Sequence, residues 1–411
     1  MAGITIGIIG GGAAGMMAAI TAARQGAEVT LLEGNARIGK KLLSTGNGKC
    51  NLGNRKLDTT EFYCGEPDRL ADFLNRFGTD DLISFFQGLG VLLKEKNGYL
   101  YPACEQASVV QDALRYELRE LGVHLVTDCK VMAVERNGQT GKIHVLGSGE
   151  SFVFDRVILA CGGKAAPSTG SDGSGFGLAE QLGHSLVPQV PALVQLKCRE
   201  DYLKSVAGVR AEAQISVYSG KDCVAVEQGE LQITDYGLSG IPVFQLSRVV
   251  NYILSTQKEV EIQLDFLPDY TPETYEQLRI SRNLLLQDGR TVEEYFTGML
   301  HKKLMALFIK LAGLKAGDSI READPERVKE VYRLCRQWQL HANGSNAYDN
   351  AQVCAGGVPL EEVTDQLESV KVPGVYFAGE ILDVDGRCGG YNLHWAWCSG
   401  YLAAMAASRE G

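Results

Sequence analysis

The sequence holds no CxxC pair, and its six histidines, His124, His144, His184, His301, His341 and His394, are scattered without metal-ligand spacing. That leaves no motif for a zinc site or a thioredoxin-like redox pair, and no metal ligand is assigned. There is no long basic run and the net charge is −10, which sets nucleic acid and anionic membranes aside as main partners. The basic n-region of a secretory signal is missing, as are low-complexity tracts and internal repeats. Eleven cysteines is an odd count, and Cys161 and Cys354 sit in apolar runs. Without an export signal they read as reduced, buried thiols of a cytoplasmic protein. What remains is ordinary for a globular chain, 45% hydrophobic and 22% charged, and 411 residues predict two or three domains.

The informative stretch is the first one. Ile4–Ile9 is a β-branched apolar run, Gly10-Gly11-Gly12-Ala13-Ala14-Gly15 follows, and Met16–Gln25 reads as a small-residue helix. A turn at Gly26, a second apolar run at Val29–Leu32 and then Glu33 complete a βαβ dinucleotide fingerprint. Gly10 permits the tight turn, Gly12 lets a pyrophosphate approach the backbone, and Gly15 lets the helix pack closely. The helix N-terminus offers N–H groups and a positive dipole end to the phosphates. Glu33 is placed to accept ribose hydroxyls and repels a 2′-phosphate, which favours FAD or NAD over NADP. The nearly uncharged run Ile4–Ala23 is long enough to span a membrane. Its glycines and the strand-like run after it argue against a span.

Gly34–Asn51 is rich in glycine, hydroxyls, amides and cations, and is read as a loop that wraps a second face of the cofactor. Helices are expected over 66–90, and over Ser108–Leu121 with Val109, Ala113, Tyr116, Leu118 and Leu121 inward. Strands are expected at Gly98–Pro102, Val123–Val126, Val131–Glu135, Lys142–Leu146, Phe152–Phe154 and Val157–Gly163. Gly162 and Gly163 end the last of these, and Pro167–Gly177 is a second glycine-rich candidate anion loop before a helix at Leu178–Leu182.

At Pro188 the texture changes to alternating strands, at Ala192–Leu196, Ala211–Tyr218, Cys223–Val226, Leu231–Thr234 and Val260–Phe266. A helix is expected at 241–255, and further helices at 272–286, 291–297, 300–312 and 325–340. The expected class is α/β: a discontinuous Rossmann-like domain, 1–187 and 345–411, with an inserted substrate or cap domain at 188–344. That insert is β-barrel-like over 188–267 and helical over 268–344. The chain returns to the first domain through Ala355-Gly356-Gly357-Val358, the strand Gly374–Ala378 with Gly379-Glu380, and Gly389-Gly390-Tyr391-Asn392-Leu393, which opens the last helix.

These stretches resemble a two-dinucleotide-binding-domain flavoprotein and, more closely, the BaiN-like family of FAD-dependent oxidoreductases. The matching residues are Gly10–Gly15, Arg37–Lys41, Ser44–Asn51, Ala355–Val358, Gly379–Gly386 and Gly389–Leu393. The Thr169–Gly177 loop resembles the TGDG element of fumarate-reductase and ketosteroid-dehydrogenase flavoproteins, interrupted here by Ser171. The resemblance implies non-covalent FAD held by Gly10, Gly12, Ala13, Ala14, Gly15, Glu33, Gly34, Lys40, Lys41, Ser44, Gly46, Asn47, Cys50, Asn51, Val131, Ala160, Gly162, Gly379, Glu380, Gly390, Tyr391, Asn392 and Leu393. It implies an activity on CH–CH groups, the reduction of a ring C=C in 3-oxo-Δ4 bile-acid or steroid-like enones by hydride from flavin N5. That reduction needs a donor to the carbonyl and a proton for the α-carbon. Arg387, Cys388 and Tyr391 are the candidates, with His394 read as structural, and Arg387 is equally readable as a salt bridge to Asp383 or Asp385. With a single dinucleotide fingerprint in the chain, NAD(P)H is expected as a transient donor. Two other classes stay open, an FAD oxidase or dehydrogenase of a small amine or hydroxyacid, and a non-enzymatic or RNA-associated flavoprotein.

Overall fold

In the computed structural model, which describes residues 3–282, 284 and 289–409, β1 (Thr5–Ile9) and β2 (Glu28–Leu32) form the centre of a parallel sheet. β3 (His124–Val126) lies beside β2, while β4 (Arg156–Leu159) and β5 (Val375–Phe377) extend the other side, in the order β5-β4-β1-β2-β3. Val157–Leu159 and Val375–Phe377 are wholly buried, as strands covered on both faces require. His124 falls on the exposed edge strand. An antiparallel meander, Val131–Arg136, Ile143–Gly147 and Ser151–Phe154, packs on β1. There the Phe154 ring covers Gly7, whose Cβ would come within 2.4 Å of it.

The first helix runs Ala13–Arg24 and so starts earlier than Met16, because Gly12, in extended backbone, is its N-cap. Residues Ala14–Ala22 are all buried, so small side chains are needed around the helix and not on one stripe. The closing helix, Tyr391–Ala407, lies against it, and a Cβ on Gly400 would sit 2.4 Å from the Ala14 carbonyl oxygen.

Several expectations are corrected. Within Gly34–Asn51, residues Lys41–Gly48 form 3₁₀ turns broken at Thr45–Asn47, where Gly46 and Asn47 take positive φ of 57° and 54°. The helix at 108–121 is Ala107–Glu120 with Ala107, Val110, Leu114 and Leu118 inward, while Val109 and Tyr116 are exposed. Both sets have helical spacing, and the apolar neighbours supplied by the fold choose between them. The Gly98–Pro102 strand is Tyr99–Pro102 and is paired on both sides, by Gly53–Asn54 and by the unforeseen strand Leu93–Lys96. The helix after the second glycine-rich loop begins at Ser174, not Leu178.

The chain divides into two compact units, residues 1–191 with 348–411, and residues 192–347. The second contains a closed six-stranded barrel in the order Leu196–Cys198, Gly237–Ser239, Asp222–Ile233, Arg210–Ser219, Val260–Asp265, Trp338–Ser345. The strands expected at Cys223–Val226 and Leu231–Thr234 are one strand, Asp222–Ile233. In place of Ala192–Leu196 there are two short strands, Val190–Ala192 and Leu196–Cys198. The helix at 325–340 stops at Arg336, because Trp338–Ser345 is needed to close the barrel between Val260–Asp265 and Leu196–Cys198. The segment expected to be helical to 344 therefore supplies a barrel strand. The expected helix 272–286 is Pro272–Arg282, and the rest of it lies partly outside the described residues. Helix Ile241–Ser255 buries Val243, Leu246 and Val250 in the barrel core. Helix Lys302–Leu311 has a core role, with the Phe308 ring 5.2 Å from that of Trp338 and 6.1 Å from that of Phe266.

Phe308 is fully buried in this aromatic cluster. Phe308→Ala is expected to lower the stability of the second unit by about 3–5 kcal/mol, read as a shift of its urea midpoint.

Candidate active site

The fingerprint glycines have distinct physical reasons. Gly10 takes φ +105°, and a Cβ there would lie 2.5 Å from the Ala160 carbonyl oxygen. At Gly15 a Cβ would lie 1.8 Å from Gly10 O, so a side chain cannot coexist with this strand–helix turn. Gly12 differs, since its Cβ would meet nothing within 4 Å. The first helix therefore opens onto clear space at its N-terminus. Its first helical hydrogen bond is Met16 N to Gly12 O at 2.9 Å, which leaves the N–H groups of Ala13, Ala14 and Gly15 ahead of the ladder. This is a cradle for a pyrophosphate, and the residues fit the ADP end of FAD.

Glu33 is buried and holds the loop itself. Its Oε2 accepts from Gly11 N at 2.8 Å, and its Oε1 accepts from Asn35 N at 2.8 Å and Asn35 Nδ2 at 2.7 Å. A carboxylate keeps further lone pairs for a ribose hydroxyl. Gly34 passes beside Lys130, and Cys129 N donates to Glu33 O at 2.9 Å, which brings the strand opened by Val131 to the same edge. Ala160 N donates to Ile9 O at 2.8 Å, and Gly162, at φ +72°, lies against Ser171. The second glycine-rich loop thus joins the fingerprint, and Lys40 Nζ reaches Ser168 O at 2.6 Å.

A second group surrounds Glu380. Its Oε2 accepts from Lys41 Nζ at 2.8 Å and its Oε1 from Cys354 N at 2.7 Å. Gly379, at φ +80°, packs on Ala14, its N–H held by Ser399 Oγ at 2.8 Å and its carbonyl by Trp395 Nε1 at 3.2 Å. Ser44 bonds back to Lys41 O at 2.8 Å. Cys50 is fully buried, and burial pushes its thiol up to about 11. Asn51 turns its amide oxygen to Gly390 N at 3.2 Å and its nitrogen to Gly53 O at 2.9 Å, and so ties the 3₁₀ segment to the closing helix.

The closing helix begins at Gly390, φ +92°, where a Cβ would lie 2.7 Å from Gly53 O. Its first helical bond is His394 N to Gly390 O at 2.9 Å, so the N–H groups of Tyr391, Asn392 and Leu393 stand ahead of the ladder. A helix N-terminus of this kind stabilises negative charge set against it. The Asn392 side chain is spent on the loop before the helix, accepting from Gly386 N at 2.8 Å and donating to Gly386 O at 2.6 Å. Arg387 pairs through Nε with Glu61 Oε2 at 3.3 Å. Tyr391 sets its ring edge-on to Phe62 at 5.6 Å, and burial raises its phenol to about 12, so it is a neutral donor near pH 7. Burial likewise raises the Cys388 thiol to about 12 and leaves almost no thiolate for nucleophilic chemistry.

His394 is fully buried, with Nε2 3.2 Å from Phe77 O and, among the described residues, no hydrogen-bond partner for Nδ1. Burial lowers its pKa to about 4, so the ring is neutral, with its proton on Nε2. Sequence reasoning did not single out Glu61, Asn54, Ser399 or Gly400. Asn54 Nδ2 holds Gly389 O at 3.1 Å across 335 residues of sequence, a contact with no local signal.

Two helix N-termini, the glycine turns that free them and the Lys41–Glu380 pair define a flavoprotein of the two-dinucleotide-binding type, an FAD-dependent oxidoreductase. The chain belongs to the HI0933-like family, the BaiN-type flavoproteins, whose Rossmann-domain profile (HI0933-like protein Rossmann domain) matches residues 4–406. It is 44% identical over 410 residues to a 3-dehydro-bile acid delta(4,6)-reductase of Clostridium scindens, covering 98% of this chain and 99% of that one. It is 30% identical over 410 residues to a ribosomal RNA dihydrouridine synthase of Haemophilus influenzae, covering 98% of each chain. Among solved structures, the 3-ketosteroid delta1-dehydrogenase of Sterolibacterium denitrificans shares the fold, with a TM-score of 0.53 at 12% identity over 99% of this chain and 100% of that one. Among the described residues no helix is long and apolar enough to cross a membrane, and no group of three or more His, Cys, Asp or Glu side chains is placed to hold a metal ion.

The two glycines separate folding from binding. Gly12→Ala is expected to melt within about 1 kcal/mol of the parent, because its Cβ enters open space, yet to lose bound flavin absorbance. Gly15→Ala is expected to fail to fold or to melt far lower. His394 gives a pH signature. Its folded pKa of about 4 lies below the ordinary 6.5, so the unfolded chain binds the extra proton. Stability is full above pH 6.5 and falls by about 3 kcal/mol as the pH drops toward 4. Urea unfolding of His394→Gln is expected to show a flatter slope there, leaving the share of His184, whose pKa burial also lowers.

Proposed function

We propose that this chain reduces the C=C bond of a bulky, apolar 3-oxo-Δ4 enone of bile-acid or steroid type, with NAD(P)H as the electron source. The observation that carries the reading is the gathering of Arg387 and Tyr391 at the opening of the closing helix, beside its free N–H groups. When bound, FAD supplies the hydride that the β-carbon accepts. The chain's own residues do the rest. Backbone N–H groups of Ala13–Gly15 would hold the FAD pyrophosphate, and Lys40, Lys41 and Glu380 fix the adjoining loops. Those of Tyr391–Leu393 would stabilise negative charge on the cofactor. Arg387 polarises the carbonyl, and Tyr391, a neutral phenol, donates a hydrogen bond or the α-proton. Aromatic side chains at this end, Phe62, Tyr99 and Tyr391, suit a flat apolar substrate. The 44% relative named for bile-acid reduction supports that substrate class.

A second reading rests on the relative named for ribosomal RNA dihydrouridine synthesis. Saturating uridine and saturating an enone are one operation at the level of bonds, with hydride delivered β and a proton α to a carbonyl. The net charge of −10 weighs against an RNA partner, and the cytoplasm is the proposed location, a setting suited to eleven free cysteines.

Anaerobic stopped-flow tests the reading. The yellow protein, reduced with NADH or NADPH, is mixed with a 3-oxo-Δ4 steroid acid, with unmodified ribosomal RNA, or with oxygen. Fast reoxidation by the enone alone is expected. Reoxidation by RNA moves the activity to uridine, and fast peroxide release moves it to an oxidase. Arg387→Ala is expected to keep its flavin and lose about 10²–10³-fold in kcat/KM. Cys388→Ser is expected to stay near the parent rate, its thiol being protonated.

A further inference from the structure

We propose that Glu61, a residue outside the fingerprint and outside every cofactor motif, is a positioning residue that sets Arg387 for the reaction proposed above. The inference rests on that reading for Arg387's role and on contacts within the first unit for its own. Asp385–Gly386 forms a two-residue antiparallel ladder with Phe62–Tyr63, Gly386 opposite Phe62 and Asp385 opposite Tyr63. Just beyond it Arg387 N donates to Glu61 O at 2.9 Å, and Arg387 Nε lies 3.3 Å from Glu61 Oε2. Glu61 thus holds Arg387 by main chain and side chain together. From the other side Asn392 clamps Gly386 N and O. The backbone of residues 386–387 is pinned between two elements far apart in sequence.

The same short segment serves both donors. Glu61 grips Arg387, and its neighbour Phe62 packs edge-on against the Tyr391 ring. The pair is only part-buried, 27% exposed for Arg387 and 33% for Glu61, so its worth to folding is small. Its geometry serves placement better than stability. The contact at 3.3 Å is made through Nε, the inner nitrogen of the guanidinium, so Glu61 bears directly on how that group is oriented. Glu61 also acts on the phenol. After burial, the groups that act on Tyr391 are Glu61, Tyr99 and Asp58, which raise its pKa, and Arg387, which lowers it.

Glu61→Gln tests the assignment. FAD content is expected to be unchanged, while kcat for the enone falls roughly tenfold to a hundredfold through misplacement of Arg387. The loss is expected to vanish when the same change is made in an Arg387→Ala background. An equal loss in both backgrounds overturns the proposal, as does full kcat in Glu61→Gln. A second readout needs no substrate: the ultraviolet pH titration of each protein against its Tyr391→Phe counterpart. Removing the Glu61 charge is expected to move Tyr391 ionisation, and the alkaline limb of kcat, to lower pH. An unmoved titration overturns the assigned action of Glu61 on the phenol. Failure of the parent enzyme to reduce any enone would sink the proposed function, while the titration still decides whether Glu61 acts on the Tyr391 phenol. Should Glu61→Gln fail to fold, Glu61→Asp carries the same comparisons, with a smaller loss and an unmoved phenol expected.

Discussion

The structure of the first unit hangs on how closely backbone approaches backbone around Ala14. A Cβ on Gly400 would come within 2.4 Å of Ala14 O, one on Gly379 within 2.9 Å of Ala14 Cβ, and one on Gly15 within 1.8 Å of Gly10 O. Three segments from opposite ends of the chain meet there without side chains between them. Dispersion and close packing hold such a contact only if every partner is small, and one added methyl must displace backbone. Because the first helix is seated this way between sheet and closing helix, its N-terminus stays clear while its body is fully buried. The open side of Gly12 is a consequence of the closed sides of Gly15 and Gly400.

Around this hub the polar side chains mostly hold loops. Glu33 spends both oxygens on Gly11 and Asn35, Asn51 on Gly390 and Gly53, and Asn392 on Gly386. These are residues that a motif reading assigns to the cofactor. Their shared physical role is to satisfy buried backbone groups so that other N–H groups, at the two helix starts, are left for a ligand. Preorganisation of this kind fixes donors before charge arrives and costs no rearrangement when it does.

At the opening of the closing helix, where the chemistry is proposed, three titratable side chains are held neutral. Burial keeps the Tyr391 phenol and the Cys388 thiol protonated near neutral pH and keeps His394 uncharged. Arg387 and Glu61 are set against each other at the edge, with Asp58 also acting on the phenol and Asp385 buried two residues before Arg387. In the proposed reaction, a neutral phenol beside a placed cation would serve a substrate that gains electron density at a carbonyl oxygen.

By itself the sequence determined the elements whose signal is local. The fingerprint Gly10–Gly15 with its flanking strands, the period-two strands of the meander, the helix Ile241–Ser255 and the family motifs were all legible, because each is written in adjacent residues. What only the tertiary structure decided is where a local pattern has two answers or none. Ala107–Glu120 carries two apolar stripes, and the neighbours chose the one with Val110 and Leu114. Trp338–Ser345 continues a helical texture, yet the barrel needed a closing strand. Gly400 lies in a helix apolar on all sides, where no face stands out, and Glu61 earns its place from a residue 326 positions away. Close approach and long-range pairing belong to both partners at once, and a reading along one chain sees only one of them.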